Sequence, residues 1–587
     1  MRFSPEFKAA SSEEYYLSFP RRRESSPKES HRDDTHRLLR YKQLSAVLME
    51  PFIGLDSRLR GNDNSKAELQ GVKLSIGNDN TRAELQGVKL SIGNDNSRAE
   101  LQGVKLSIGN DNSRAELQGV KLSIGNDNSR ANFQGVKQTI LLQLLLLIIL
   151  LGSLSPLFAR NPNEPVYYAA PTVLPNVLPE MNSAGFWISR HPYPDSLIMT
   201  SDEIARFNAQ VNKQGTVTKI WQHSSRIAGN TIQKQINESL STVFTRGRFD
   251  ETGAETSDSL KNTIRANAAV ANIPNNIHVR FGFPIAVARQ RLAPSFANLN
   301  NAVLDLEFDE LQNSGENIGT PLVFYHDSAD GQWIYGASAT SSGWFLRSEI
   351  CFVDQKDWLK YQNAKLKAIC LSARADIWKD VQGTQFQAFC RMGTAFPILA
   401  DAGEYFRIQI PVQDRLGVAY IAKEDVSSGF LPYTPRNVYK QAFKMLNVPY
   451  GWGDMNADWD CSSLLKNIFS SFGIYLPRNG LSQAKAAKPA HEFTASNNVS
   501  IRDSIIADKA VGAISFLRLE GHIMLYLGSY KDRSYALHDI WSYRSPGADD
   551  KDDVYAIKKM VVSDLSLGTG SKRGSLLERI TMISIVK

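Results

Sequence analysis

The spacing of hydrophobic positions changes repeatedly along the chain, and each change predicts a different kind of structure. Between about 165 and 275 apolar residues recur at helical spacing. Ser201-Asp202-Glu203 opens an amphipathic run, EIARFNAQVN, with Ser201 as the expected N-cap, and further helical stretches fall near 230–247 and 258–271. Prolines at 162, 165, 171, 175 and 179 mark an extended leader ahead of them. From 277 to 352 the rhythm shortens to alternation, in IHVRFGF, LDLEFDEL, PLVFYHDS, GQWIYGAS and GWFLRSEI, with turn residues every 8–12 positions. That pattern predicts a small barrel. A second β-rich stretch, from about 364 to 426, reads as a divergent copy of it. From 435 to 587 the order is a helix (PRNVYKQAFKML), a loop, a helix starting at Cys461, then strands. This is an α+β arrangement with chemistry at the seam.

The beginning of the chain has a different character. Residues 61–135 hold a tandem repeat, AELQGVKLSIGNDNSR, in which Gly-Asn-Asp returns at 61, 77, 93, 109 and 125. Structural repeats keep an apolar skeleton while their surface positions drift. This one keeps nearly everything, as a recently duplicated stretch of DNA would. Residues 1–135 are therefore expected to be disordered or absent from the working protein. Next come Val136-Lys137-Gln138, an apolar run from Thr139 to Leu151 broken only by Gln143, and GSLSPLFA ending at Ala159. A basic start, a short apolar core and a small residue predict a secretory signal peptide at 136–159 rather than a membrane span. The expectation is an exported, periplasmic protein whose translation begins near Val136, with membrane contact only through an uncleaved signal segment.

Charge and cysteine count narrow the function classes. The net charge of +7 divides into 22 basic against 18 acidic residues in 1–137 and 45 against 42 in the remainder. Neither part carries a nucleic-acid footprint. Four cysteines in 587 residues exclude a disulfide scaffold, and their spacing is not that of a zinc site. Cys351, Cys370 and Cys390 fall in apolar or mixed runs and read as interior residues; a disulfide between two of them is an option in an exported domain. No metal or cofactor is expected.

Cys461 keeps different company. In Val448-Pro-Tyr450-Gly-Trp452-Gly-Asp-Met-Asn-Ala-Asp-Trp-Asp460-Cys461-Ser462-Ser463, the apolar residues that follow (Leu464, Leu465, Ile468, Phe469, Phe472) have helical spacing. Cys461 thus falls in the first turn of a helix, where unpaired N–H groups and the helix dipole favour a thiolate. A cysteine nucleophile needs a base, and the base needs an orienting group. Gly521-His522 begins one predicted strand, and Ser534-Tyr-Ala-Leu-His538 begins the next. Paired as a hairpin, the two would bring His538 to the second ring nitrogen of His522, with Asp539 as an adjacent competitor.

Tyr450-Gly-Trp-Gly, Asp460-Cys461-Ser462-Ser463, Leu476-Pro477-Arg478 and Gly521-His522 together resemble the NlpC/P60 cysteine peptidases. Over 165–587 the closest likeness is to the gamma-D-glutamyl-L-diamino acid endopeptidases of that family. The stretches Gly319–Asp327, Asp330–Tyr335 and Gly343-Trp344 likewise resemble bacterial SH3-like barrels, where a Trp after a distal turn closes one end.

The resemblance implies an organisation and a set of roles. The organisation is a helical clip over 160–276, SH3-like domains over 277–355 and 356–430, and a papain-like peptidase domain over 431–587. Cys461 would attack the amide after gamma-linked D-glutamate, His522 would act as base and then acid, and His538 would orient it. Asp460 and Ser462 would bind the free α-amine of a terminal L-alanine, Tyr450 would contribute to the wall or oxyanion site, and Tyr335 would line the site from the first barrel. The family's serine after Leu-Pro-Arg is replaced here by Asn479-Gly480, which shifts that contact to Ser482 or removes it. The expected partners are peptidoglycan stem peptides. The competing classes are a wall-binding protein with decayed catalysis, and an amidase or acyltransferase on the same fold.

Overall fold

A computed structural model describes the strands between 66 and 124, and residues 167–587 apart from 214–219, 221–223, 246, 304, 495–496 and 549. The predicted signal segment, 136–159, lies outside the described residues. The chain divides into two compact units, Met1–Glu164 and Pro165–Lys587, taken here one at a time.

In the first unit segments of the repeat form strands. Ala83–Asn94 and Ser97–Ile108 pair antiparallel at the centre of a six-stranded sheet. Each repeat supplies an AELQ and a KLSI segment, and the AELQ of one repeat pairs with the KLSI of a neighbouring one (Leu85 opposite Leu106, Leu101 opposite Leu122).

The second unit contains three seven-stranded sheets. Two are barrels, running from Arg280–Pro284 to Ile350–Val353 and from Lys367–Cys370 to Val426–Ser428. Their strands follow one another in the same spatial order, so the second barrel repeats the topology of the first. In the first barrel Trp344 is fully buried against Tyr335, as the alternating pattern and distal turn predict. The segment LDLEFDEL, expected as a strand, is a loop over its described residues, 305–311. Asp309 accepts hydrogen bonds from the N–H groups of Leu299 and Leu311 and an ion pair from Arg291, which bends the backbone away from any ladder. The strand falls just after it, at Gln312–Glu316.

The expected clip divides between two cores. Helix Ala184–Ile188 buries Phe186 and Trp187 in the core of the C-terminal domain, together with Leu464, Leu465 and Tyr535. Helices Gly229–Phe244 and Asp258–Ala268 instead bury Ile232, Ile236, Leu240 and Ile264 against Phe281, Trp333 and Trp344 of the first barrel. Helix Ser201–Lys213 is capped one residue earlier than predicted. Thr200 Oγ1 accepts from the Glu203 N–H, and the Glu203 carboxylate accepts from the Thr200 N–H.

The third sheet carries the candidate site. Its order is Lys488–Glu492, Ile580–Ile585, Ser515–Leu519, His522–Tyr530, Arg533–Pro546, Asp552–Asp564 and Tyr167–Ala169. All neighbours are antiparallel except the last pair, in which Tyr167–Ala169 runs parallel to Val554–Ala556. Helix Cys461–Ser470 packs on this sheet through Leu464, Leu465, Ile468 and Phe469, the residues whose spacing predicted it.

Candidate active site

Cys461 is the first residue of its helix, and Asp460 is the N-cap. The Asp460 carboxylate accepts from the N–H groups of Ser462 and Ser463, and Ser463 Oγ accepts from the Asp460 N–H, closing a reciprocal cap. The Cys461 N–H, first in the helix, has no intrahelical acceptor and faces outward with the positive end of the dipole.

The hairpin predicted for the histidines is present. Leu525 pairs with Leu537 across the two strands, which brings His522 Nε2 to 2.7 Å from His538 Nδ1. His538 Nε2 is in turn 2.8 Å from Ser563 Oγ on the next strand. The row can be protonated in two ways, since the Ser563 hydroxyl donates or accepts, and a base at His522 Nδ1 requires the following one. His522 Nε2–H donates to His538 Nδ1, and His538 Nε2–H donates to Ser563 Oγ. That leaves His522 Nδ1 as the basic nitrogen available to the thiol. The backbone N–H of Ile523, the residue after His522, is near enough to the Cys461 sulfur to favour its charged form. Ser563 was not foreseen, since a lone serine in an alternating strand has no sequence signal.

Electrostatics depart from the expectation of a resting thiolate. Burial pushes the Cys461 thiol up to about 12, with the adjacent Asp460 adding to the rise and Ile523 and Arg478 opposing it. Burial drives His522 down to about 3, helped by Arg579 and Arg573, and drives His538 well below its usual value. Half a charge of helix dipole is worth about 0.3–1 kcal/mol, too little to outweigh desolvation beside a carboxylate. At neutral pH the pair is therefore thiol and imidazole, and the proton moves only as the sulfur attacks.

Asp460 is not the unpaired acid that the amine-selector role presupposes. Arg478 grips it with two nearly parallel hydrogen bonds, Nη2 to Oδ2 at 2.7 Å and Nη1 to Oδ1 at 3.1 Å. Burial works to raise its pKa, but Arg478 prevails and holds it at about 2. Ser462 Oγ donates to the same carboxylate and accepts from Arg478. Tyr450 sits in the loop before Trp459, where its hydroxyl pKa is raised well above normal by burial and by the nearby Cys461 and Asp460. Tyr335, expected to line the site, is buried in the barrel core, with its hydroxyl on Ser342. The aromatic that the first barrel sends to the site is Phe308, on the Asp309 loop. Its ring centroid lies 6.3 Å from that of Tyr450, 5.3 Å from Trp452 and 5.5 Å from Trp541. Asn479 caps helix Gly480–Ala486, receiving the Ser482 N–H, so that both replacements after Leu-Pro-Arg serve a helix end.

Asp539, next to His538, is wholly buried, and among the described residues neither carboxylate oxygen has a hydrogen-bond partner. Burial, reinforced by Asp460 and Asp458, raises its pKa well above normal and favours the protonated form.

A partly buried thiol at a helix start, a neutral imidazole and a second imidazole behind it define a cysteine peptidase site. Residues 447–544 match the NlpC/P60 family, and residues 294–345 match the SH3 domain of the SH3b1 type. The chain carries an NlpC/P60 domain, from a family of cysteine peptidases acting on cell-wall peptides, preceded by an SH3b-type domain. Among solved structures, an NlpC/P60 endopeptidase from Photobacterium damselae subsp. piscicida aligns with a TM-score of 0.58 and 19% identity, over 72% of this chain and 99% of its own. An NlpC/P60 family protein from Bacillus cereus aligns with a TM-score of 0.38 and 13% identity, over 52% of this chain and 98% of its own. No curated protein matches the chain.

Proposed function

We propose that the protein is an exported, periplasmic endopeptidase that hydrolyses the gamma-D-glutamyl to diamino acid bond of stem peptides bearing a free N-terminal L-alanine. The hydrogen-bonded row His522, His538 and Ser563 carries this reading, because it supplies a base with its partner on strands that pack against the helix opened by Cys461.

As sulfur bonds to the carbonyl carbon, the thiol proton passes to His522 Nδ1. The oxyanion meets the helix N-terminus at the Cys461 N–H, with Tyr450 in the adjacent wall. Collapse breaks the C–N bond, and His522 returns its proton to the leaving amine, leaving a thioester. Water then attacks the thioester with His522 as base, releasing the D-glutamyl carboxylate and restoring the thiol.

The α-amine of L-alanine is assigned to Asp460 and Ser462. It shares that carboxylate with Arg478, so its selection is weaker than an unpaired acid would give. Incubation with L-Ala-γ-D-Glu-diaminopimelate and mass spectrometry of the products tests the reading. The expected products are L-Ala-D-Glu and the free diamino acid, lost in Cys461→Ala. An intact substrate with the unaltered enzyme rejects the bond assignment. Mass spectrometry of the native N-terminus tests export, and abundant peptides from 61–130 would contradict a start near Val136.

A further inference from the structure

Asp460 and Arg478 are the near end of a longer chain of charges. Arg478 Nη2 also lies 3.4 Å from Asp454 Oδ2, and Asp454 Oδ1 lies 3.3 Å from Arg391 Nη1 of the second barrel. Asp454 and Arg391 are each only 1% exposed. Two acids and two arginines thus alternate from the second barrel to the cap of the nucleophile helix.

Both barrels fix this chain in place. Arg391 donates from Nε to Asn317 Oδ1, from Nη2 to the Gly315 carbonyl and from Nη1 to the Asp458 carbonyl. The Gly315 N–H donates to Asp454 Oδ2, and Arg478 Nε donates to Ser314 Oγ. Asp454 has a φ of 65°, a left-handed conformation uncommon for a residue with a side chain. The barrel strand comes so close that a Cβ on Gly315 would stand 2.7 Å from the Asp454 Cβ. Such an approach admits only glycine.

Arg478 therefore divides its charge between two carboxylates, Asp460 beside the nucleophile and Asp454 behind it. Arg391 governs that division by neutralising Asp454. We infer that Arg391 is a positioning residue for Cys461: by occupying Asp454, it leaves Arg478 on Asp460 and so sets how readily the thiol ionises. The inference needs Cys461 as a thiol nucleophile but is independent of the peptide it cleaves.

Around the sulfur, the titratable and charged groups are Asp460 on its own element, Tyr450 and Asp458 on the loop before it, and Arg478. On the sheet they are His522, His538 and Asp539, with Arg573 and Arg579 beyond His522. Burial favours the neutral forms of His522, His538 and Asp539, so the Asp460–Arg478 pair is the charge closest to the sulfur.

The test is the rate of Cys461 alkylation by iodoacetamide in the full chain, followed between about pH 7 and pH 10 by peptide-resolved mass spectrometry. Peptide resolution separates Cys461 from the three buried cysteines. Arg391→Gln frees Asp454 to draw Arg478 from Asp460. Alkylation at fixed pH is expected to slow about tenfold, a displacement of about one pH unit. Asp454→Asn removes the rival acid and is expected to speed alkylation. The double variant loses one charge of each sign and is expected near the parent rate.

Loosened packing would instead expose the thiol and speed alkylation in every variant. Unchanged or faster alkylation in folded Arg391→Gln overturns the inference. If that variant does not fold, unchanged or slower alkylation in Asp454→Asn overturns it equally.

Discussion

His522 Nε2 and His538 Nδ1 stand 2.7 Å apart, a hydrogen bond that leaves His522 Nδ1 open as the base when Nε2 is the donor. Replacing His538 with alanine frees the ring to turn and to change tautomer. A fall in kcat of about 100-fold with little change in KM is expected. Ser563→Ala removes only the outer partner and is expected to cost about tenfold. Steady-state kinetics on a stem peptide measures both, and equal losses would contradict the order of the row.

The low pKa of His522 sets the acid limb. A base must be neutral to act, and burial keeps His522 neutral down to about pH 3. The ratio kcat/KM is therefore expected to stay level as pH falls through 6.5, where an ordinary histidine would lose activity. Stability moves differently. Below about pH 6.5 the unfolded chain takes up protons that His522 and His538 refuse in the fold, so Tm is expected to fall with pH from there. A pH–rate profile paired with a pH series of melts separates the two effects.

Asp539 has the opposite sign. Its pKa is raised in the fold, so the folded chain keeps a proton that the unfolded chain releases above about pH 4. Stability from this position is lost as pH rises through that window. Asp539→Asn keeps the shape and removes the ionisation. A Tm gain of about 2 °C or more is expected at pH 7, vanishing near pH 4. Calorimetry at the two pH values checks it.

Phe308 meets Tyr450, Trp452 and Trp541 without touching the histidine row. Phe308→Ala is expected to raise KM for stem peptides about tenfold while leaving Cys461 alkylation unchanged. A loss in kcat alone would show that the loop acts on chemistry rather than on binding.

Local patterns revealed local chemistry. Cys461, its helix, and the His522 and His538 hairpin followed from spacing that the sheet and helix then obeyed. The charges escaped because they depend on distant segments. Arg391 and Asp454 are 63 residues apart, and nothing in either neighbourhood marks a pair. Asp460 read as an open acid because its partner is 18 positions away on another element. Tyr335 was assigned to the site by the family likeness alone, with no signal of its own, and the fold buries it in the barrel core. The loop at Asp309 looked like a strand because its carboxylate, rather than its apolar residues, decides the backbone there.

The parallel pairing of Tyr167–Ala169 with Val554–Ala556 also bears on biogenesis. Ribosomes make the chain from its N-terminus, so this strand waits through nearly 400 residues of synthesis for its partner. The sheet that carries His522 and His538 therefore gains its last strand only near the end of translation. A C-terminal fragment cut at the second barrel would leave the Val554–Ala556 edge uncovered, a template for pairing between molecules. The first strand of the second unit is in effect a latch, closing the outer edge of its last domain.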